Sequence, residues 1–278
     1  MKFSAEKFAQ SKHKRLTLLG MSGVGKTHLS KLLSVDDKWY HYSGDYRIGA
    51  RYLNDAILDN IKQKVRQSEY LAELLDNDSI TIENKVSFDN LSSVSNFLGK
   101  VGNPGQGGLP IDEFTKRQAL HLDAEIKTML DVPKFIDKSQ RQGFNHFIND
   151  VGGSLCELDN ENVFQTLADN TLILYIRASK SNESALIERA QTQPKPLYYQ
   201  PHFLQTQLAI YLQENQLTYI AQIDPDAFVG WIFPRLLEHR VPKYKAIAEK
   251  YGYTIDSEDL YRCTTAGEVF ALINEALD

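Results

Sequence analysis

The sequence predicts an α/β fold: a doubly wound, mostly parallel sheet of five strands, with helices on both faces and helical insertions. Three observations predict it. The apolar run Arg15-Leu16-Thr17-Leu18-Leu19 reads as a buried parallel strand. It runs directly into Gly20-Met21-Ser22-Gly23-Val24-Gly25-Lys26-Thr27, which matches a glycine, four residues, then Gly-Lys-Thr at every fixed position. Beyond it, short apolar runs alternate with helical patterns, and residues 171–176 form the clearest of them.

The glycine motif carries its own chemistry. Glycines at 20, 23 and 25 let the backbone turn its N–H groups inward around an anion. The helix that follows, with Leu29, Leu32 and Leu33 on one face, adds the positive end of its dipole. The motif therefore assigns a nucleotide polyphosphate to Gly20, Ser22, Gly23, Val24, Gly25, Lys26, Thr27 and His28. Lys26 reaches for the β- and γ-phosphates, and the Thr27 hydroxyl is the expected ligand of Mg2+.

Composition bounds the rest. The chain has 278 residues, 42% hydrophobic and 24% charged, enough for one large domain or two small ones. A net charge of −5 argues against a general nucleic-acid binder. Two cysteines, Cys156 and Cys263, give no disulfide framework and fit a reducing compartment. No apolar run approaches membrane-spanning length, so a cytoplasmic enzyme is the expectation.

Taken in order, the basic residues among the first 15 are read as a solvated helix leading into the first strand, with a basic arm as the alternative. Trp39-Tyr40-His41-Tyr42-Ser43 is the expected second strand, ending in Gly44-Asp45-Tyr46-Arg47. Ligands of open α/β sheets sit beyond the carboxyl ends of the strands. Asp45 is therefore placed to hold Mg2+ through water or to accept a proton from a substrate hydroxyl, and Arg47 to bind an anion. Residues 51–75 show helical spacing in one long helix or two, and Ile80-Thr81-Ile82 a short strand or edge. The glycine- and proline-rich stretch 99–110 reads as a mobile loop, either a lid or plain surface. Pro110, Asp112 and Glu113 start a helix on which His121 is read as structural.

Residues 144–150 form the third strand, ending in Asp150 and followed by Gly152-Gly153. An apolar strand ending in Asp is the arrangement in which a carboxylate supports the magnesium shell. After the fourth strand comes a helix with Arg189 late in it, then the stiff segment Pro194-Lys195-Pro196-Leu197. A helix capped by Asp224-Pro225 is expected to bend or restart at Pro234, with a further helix over 240–248. Residues 251–255 give the fifth strand and Ala266–Leu277 a closing helix. No linker interrupts the pattern, so one domain is expected over 1–278, with insertions at about 51–142 and 198–235.

This order of motifs resembles the P-loop small-molecule and nucleotide kinases, and among them the shikimate kinases. The resemblance rests on residues 20–27, Gly44-Asp45-Tyr46-Arg47, Gly152-Gly153, Leu186-Ile187-Glu188-Arg189, Pro194-Lys195-Pro196-Leu197 and the stretch from Arg240 to Ala248. It implies a kinase that uses ATP and Mg2+, with Arg189 and Lys195 as lid cations on the transferred phosphate. It implies an acceptor side of Asp45, Gly152, Gly153 and Arg240, and an acidic or phosphorylated hydroxyl acceptor. The chain departs from that pattern in three ways. Lys195 replaces a lid arginine, a double-Asp motif is reduced to Asp45, and both insertions are long. The alternative is an ATPase that couples hydrolysis to a protein partner through those insertions. The Asn-Lys-x-Asp guanine signature is absent, which favours ATP.

Overall fold

β1 (Arg15–Leu19) is the middle strand of the sheet because it can be buried on both faces: Leu16, Leu18 and Leu19 have no exposed surface. In the computed structural model, which describes residues 5–34 and 38–277, it is joined by β2 (Trp39–Ser43), β3 (His146–Asp150), β4 (Leu172–Arg177) and β5 (Gly252–Asp256). The spatial order is β2-β3-β1-β4-β5, and every pair is parallel. Parallel neighbours need long crossovers, and helices supply them here. The fold is thus the α/β architecture the sequence predicts. The one polar inward position of β1, Thr17, is satisfied: its hydroxyl lies 2.7 Å from that of Thr171 and accepts from Asn149 Nδ2 at 3.2 Å.

The helices follow in chain order. α1 (Ala5–Gln10) precedes β1 and buries Phe8, so the basic start of the chain is a helix from Ala5 on. Residues 1–4 lie outside the described residues. α2 (Lys26–Leu33) leaves the glycine motif with Leu29 and Leu33 buried. α3 (Gly44–Arg47) begins immediately at the end of β2 and runs into a π-helical turn, Ile48–Tyr52. The 51–75 pattern resolves into two helices, α4 (Asn54–Val65) and α5 (Glu69–Asp76). The strand expected at Ile80-Thr81-Ile82 is not formed. These residues have no neighbouring strand and are partly or wholly solvated. α6 (Ser92–Leu98) buries Val94, Phe97 and Leu98.

The stretch 99–110 corrects a second expectation, for it is a folded turn whose base is anchored in the core while residues 104–107 are exposed at its tip. Val101, 1% exposed, bridges Leu109, and the Asn103 N–H donates to Ile223 O at 2.8 Å. Gly99, Gly102 and Gly107 take positive φ, so the glycines shape a fixed turn.

α7 (Ile111–Leu130) and α8 (Val132–Arg141) lead to β3, and α9 (Glu161–Asn170) joins β3 to β4. α10 (Lys180–Thr192) and α11 (Pro201–Glu214) follow β4. α12 (Pro225–Tyr251) is one helix of 27 residues, without the restart expected at Pro234 and without a separate helix from Arg240. An interior proline costs about 3 kcal/mol. Here the helix buries Phe228, Ile232, Phe233, Leu236, Leu237, Tyr244 and Ile247 across both prolines, which offsets that cost. α13 (Ser257–Arg262) and α14 (Ala266–Leu277) end the chain. α1, α2 and α14 pack together against the sheet; α8, α9 and α12 pack against β3, β4 and β5.

Candidate functional site

Because β2, β3 and β1 are neighbours in register, their carboxyl ends deliver three loops to one place. Asp150 at the end of β3 stands opposite Ser43 on one side and Leu18 on the other. It therefore lies between the Gly44–Arg47 helix and the loop of residues 20–27. The loop has the backbone its glycines predict. Gly20, Gly23 and Gly25 have φ of 144°, 96° and 108°, values that side chains rarely tolerate. A Cβ on Gly20 would stand 2.7 Å from Ile176 O.

Lys26 curls back over this loop, donating to Gly20 O at 2.7 Å and Met21 O at 2.9 Å. Burial lowers its pKa, while Asp150 and Asp45 oppose that shift. Thr27 Oγ1 and His41 Nε2 each approach Asp150 Oδ2 to 3.5 Å. Hydroxyl and carboxylate oxygens are the hard donors magnesium takes. No group of three His, Cys, Asp or Glu that could hold a metal exists among the described residues. A magnesium ion there would need phosphate oxygens and water to complete its shell, which is how Mg2+ is ordinarily held.

Asp45 opens α3 and faces the Gly152-Gly153 turn. Its Oδ1 lies 2.9 Å from where a Gly152 Cβ would stand, so only glycine leaves room for it. Burial, then the charge of Asp150, raises the Asp45 pKa; Lys26 works the other way. A cavity of about 330 Å³ opens beside these groups. Asp45, Gly152, Gly153, Ser22, Arg189 and Lys195 line one part of it. Val94 and Leu98 of α6 and Phe233 of α12 give it an apolar wall. Arg189 Nη2 donates to Ser22 O at 3.1 Å, which lays the guanidinium across the loop of residues 20–27. Lys195 is exposed at the cavity. His28 sits outside it, stacked on Tyr261.

Two arginines expected on the acceptor side are committed elsewhere. Arg47 turns away from the cavity, donating to Asp131 Oδ2 at 2.9 Å with its guanidinium over the rings of Tyr52 and Phe135. Arg240 is 3% exposed and reaches the cavity only as part of its wall. Its Nε and Nη2 donate to Glu157 Oε2 at 3.0 and 2.7 Å, its Nη1 to Gly153 O at 3.0 Å and its Nη2 to Tyr198 O at 2.8 Å. It braces the glycine turn. In both cases a buried carboxylate claims the cation before any ligand can.

Four residues with no sequence signal join the site: Glu125, Ser154, Glu157 and Tyr261. Glu125 is fully buried on α7; its Oε2 accepts from Ser154 Oγ at 2.7 Å, and its Oε1 has no partner. Burial pushes the Glu125 carboxyl up from 4.5 to about 8, against the Ser154 hydrogen bond. His121, one turn earlier, is pushed down from 6.5 to about 4 by burial and by the nearby Arg240. These shifts set the sign of a stability effect. Folded Glu125 keeps a proton that the unfolded chain has released above 4.5, so its contribution is lost as pH rises to about 8. His121 acts oppositely and below 6.5, where the unfolded chain takes up a proton the folded one refuses. Between pH 6.5 and 8 Glu125 therefore acts without His121. Stability should fall there by about 1.4 kcal/mol per pH unit, and Glu125→Gln should flatten the fall. Urea midpoints at the two ends of that window measure it. Equal slopes in the two proteins would mean that the carboxyl is ionised in the fold.

No family model matches the chain, and no curated protein matches it. Solved structures do. A shikimate kinase from Bacteroides thetaiotaomicron aligns at 13% identity and a TM-score of 0.44, over 94% of this chain and 95% of that one. A shikimate kinase from Acinetobacter baumannii in complex with shikimate aligns at 14% identity and a TM-score of 0.32, over 93% of each chain. Likeness at this level carries no argument about activity, which has to come from the site itself.

Proposed function

We propose that this protein is a kinase that moves the γ-phosphoryl group of ATP to a hydroxyl of a small acceptor held in the 330 Å³ cavity. The observation that carries this reading is the meeting of Asp45 and Arg189 on one cavity beside the loop of residues 20–27, with the Lys26 ammonium acting on the Asp45 carboxyl from within that loop. A hydrolase would need only a water beside the phosphate, whereas this cavity has room for an organic acceptor.

In this reading the backbone of residues 20–27 and Lys26 hold the β- and γ-phosphates. The phosphate oxygens replace Gly20 O and Met21 O as acceptors from the Lys26 ammonium. Thr27 and Asp150 would hold magnesium, which would supply positive charge to offset that of the phosphates. Asp45 accepts the proton of the acceptor hydroxyl, and Gly152 keeps the space that lets it do so. Arg189, joined by Lys195, faces the charge that develops on the transferred group. Both insertions serve one catalytic unit, because the first supplies Val94, Leu98 and His121 to the cavity and the second supplies Tyr198, Val229 and Phe233.

The acceptor is recognised chiefly by shape. Arg47 and Arg240 are paired with buried carboxylates, so neither is free to bind an acidic group on the acceptor. The test is Asp45→Asn, an isosteric change. ADP formation stimulated by a panel of hydroxyl compounds should fall by about 10²- to 10⁴-fold, the usual share of a positioned base. ATP affinity should change less than about twofold. If acceptor-stimulated turnover survives in the variant, Asp45 is not the base; if no hydroxyl compound stimulates turnover of the unmodified protein, the kinase reading falls.

A further inference from the structure

We infer that His121 selects the acceptor, and that the acceptor is an uncharged compound with neighbouring hydroxyls, one presented to Asp45 and the next to the His121 ring. The inference deepens the kinase reading and rests on it. Both residues line the 330 Å³ cavity, Asp45 from α3 and His121 from the middle of α7. Ser154 joins them from the turn after β3.

These three side chains offer hydrogen-bond acceptors. Ser154 Oγ donates its proton to Glu125 Oε2 at 2.7 Å, so only its lone pairs remain for a ligand. His121 is 8% exposed, and its Nδ1 is buried with no partner among the described residues. That nitrogen lies 3.9 Å from Glu125 Oε2, beyond hydrogen-bond reach but near enough to favour the ring proton on that side. Nε2 is then the accepting nitrogen, and the one left to face the cavity. Burial, then the charge of Arg240, holds the ring pKa down at about 4, so the imidazole stays neutral. Tyr198 stacks on it, with centroids 5.6 Å apart and planes 23° from parallel, which fixes its orientation.

A set of acceptors requires donors from the ligand. Neighbouring hydroxyls supply them. A carboxylate supplies none, and its lone pairs would face those of Nε2, Ser154 and Asp45. An ammonium would supply donors, but it would pair with Asp45 and lower the basicity that the proposed transfer needs. Val94, Leu98 and Phe233 leave an apolar wall for the carbon face of a polyol.

The experiment builds the acceptor panel as matched trios that differ in one group, among them ethylene glycol with glycolate and ethanolamine, and glucitol with gluconate and glucamine. In the unmodified protein, kcat/KM from ADP formation should be at least about tenfold higher for the uncharged member of a trio than for its acid or its amine. His121→Phe keeps a ring against Tyr198 and removes the accepting nitrogen. Its kcat/KM for the uncharged members should fall about tenfold, and their advantage over the acids should shrink below about threefold, while ATP affinity is kept. The comparison within a trio needs only the unmodified protein, so it decides the acceptor class whether or not the variant folds. A preference of the unmodified protein for the acid or the amine overturns the inference. So does a loss in folded His121→Phe that all three members share equally, which is what a purely structural histidine gives. Both results leave the kinase reading standing. If no member of any trio stimulates ADP formation, the kinase reading itself has failed and this inference falls with it.

Discussion

Lys26→Met is expected to lower phosphoryl transfer by about 10³- to 10⁵-fold, the range for removing a cation from the transferred phosphoryl group. The change keeps the length and bulk of the side chain and removes only the ammonium. Two losses combine. The phosphates lose their closest cation, and the free loop loses the bonds from Nζ to Gly20 O and Met21 O that tie its backbone together. A third effect works on the neighbours. Asp45 and Asp150 both interact with the Lys26 charge, and without it the Asp45 carboxyl is held further above its ordinary range. The variant should therefore bind ATP weakly and be a poorer base as well. Titration with a fluorescent ATP analogue and a coupled assay for ADP separate binding from turnover, and thermal melting checks the fold. Unchanged ATP affinity in a folded Lys26→Met protein would remove the foundation of the proposed activity.

That prediction could be written from sequence alone, and the reason is locality. β1, the loop of residues 20–27 and α2 are contiguous, so strand, turn and helix are each specified by their own residues. The other strands were legible for the same reason: apolar runs over 144–150, 171–176 and 251–255 lie within two residues of β3, β4 and β5. What sequence could not supply is the partner of a charge. Arg47 at the end of β2 looks the same whether it faces a ligand or a carboxylate, and Asp131 lies 84 positions away. Tyr261 is 238 positions from the carbonyl it bonds. Glu125 reads as a polar position on an amphipathic helix; only the approach of Ser154 from the β3 turn shows it to be buried and paired. Failures of local rules have the same origin. Pro234 predicts a bent or restarted helix, but apolar surface from distant elements keeps α12 continuous through it. The glycines at 99–110 predict a loose loop, but the Ile223 carbonyl and the apolar pocket around Val101 hold it.

Arg240→Ala should destabilise the protein by about 3–5 kcal/mol, because it strands a buried carboxylate. Glu157 has no exposed side-chain surface, and its Oε2 accepts both the Nε and Nη2 of Arg240. Taking the cation away leaves that charge desolvated, with His239 Nε2, 3.2 Å from Oε1, as the nearest replacement. Replacing both partners by apolar residues, Arg240→Met with Glu157→Leu, should recover much of the loss, since the penalty belongs to the unpaired charge. Function should follow a different course. Gly153 O accepts from Arg240 Nη1 and also from Tyr244 Oη, and the backbone of that glycine lies against the Ser22 N–H. The double variant restores the core but not the brace from Nη1, so the turn that faces Asp45 loses half its anchorage. Stability should therefore return in the double variant while turnover stays depressed. Urea unfolding and the coupled ADP assay, run on the same three proteins, read the two effects separately. If Arg240→Ala instead melts like the unmodified protein and alters only the KM for the acceptor, then the guanidinium is a ligand contact after all.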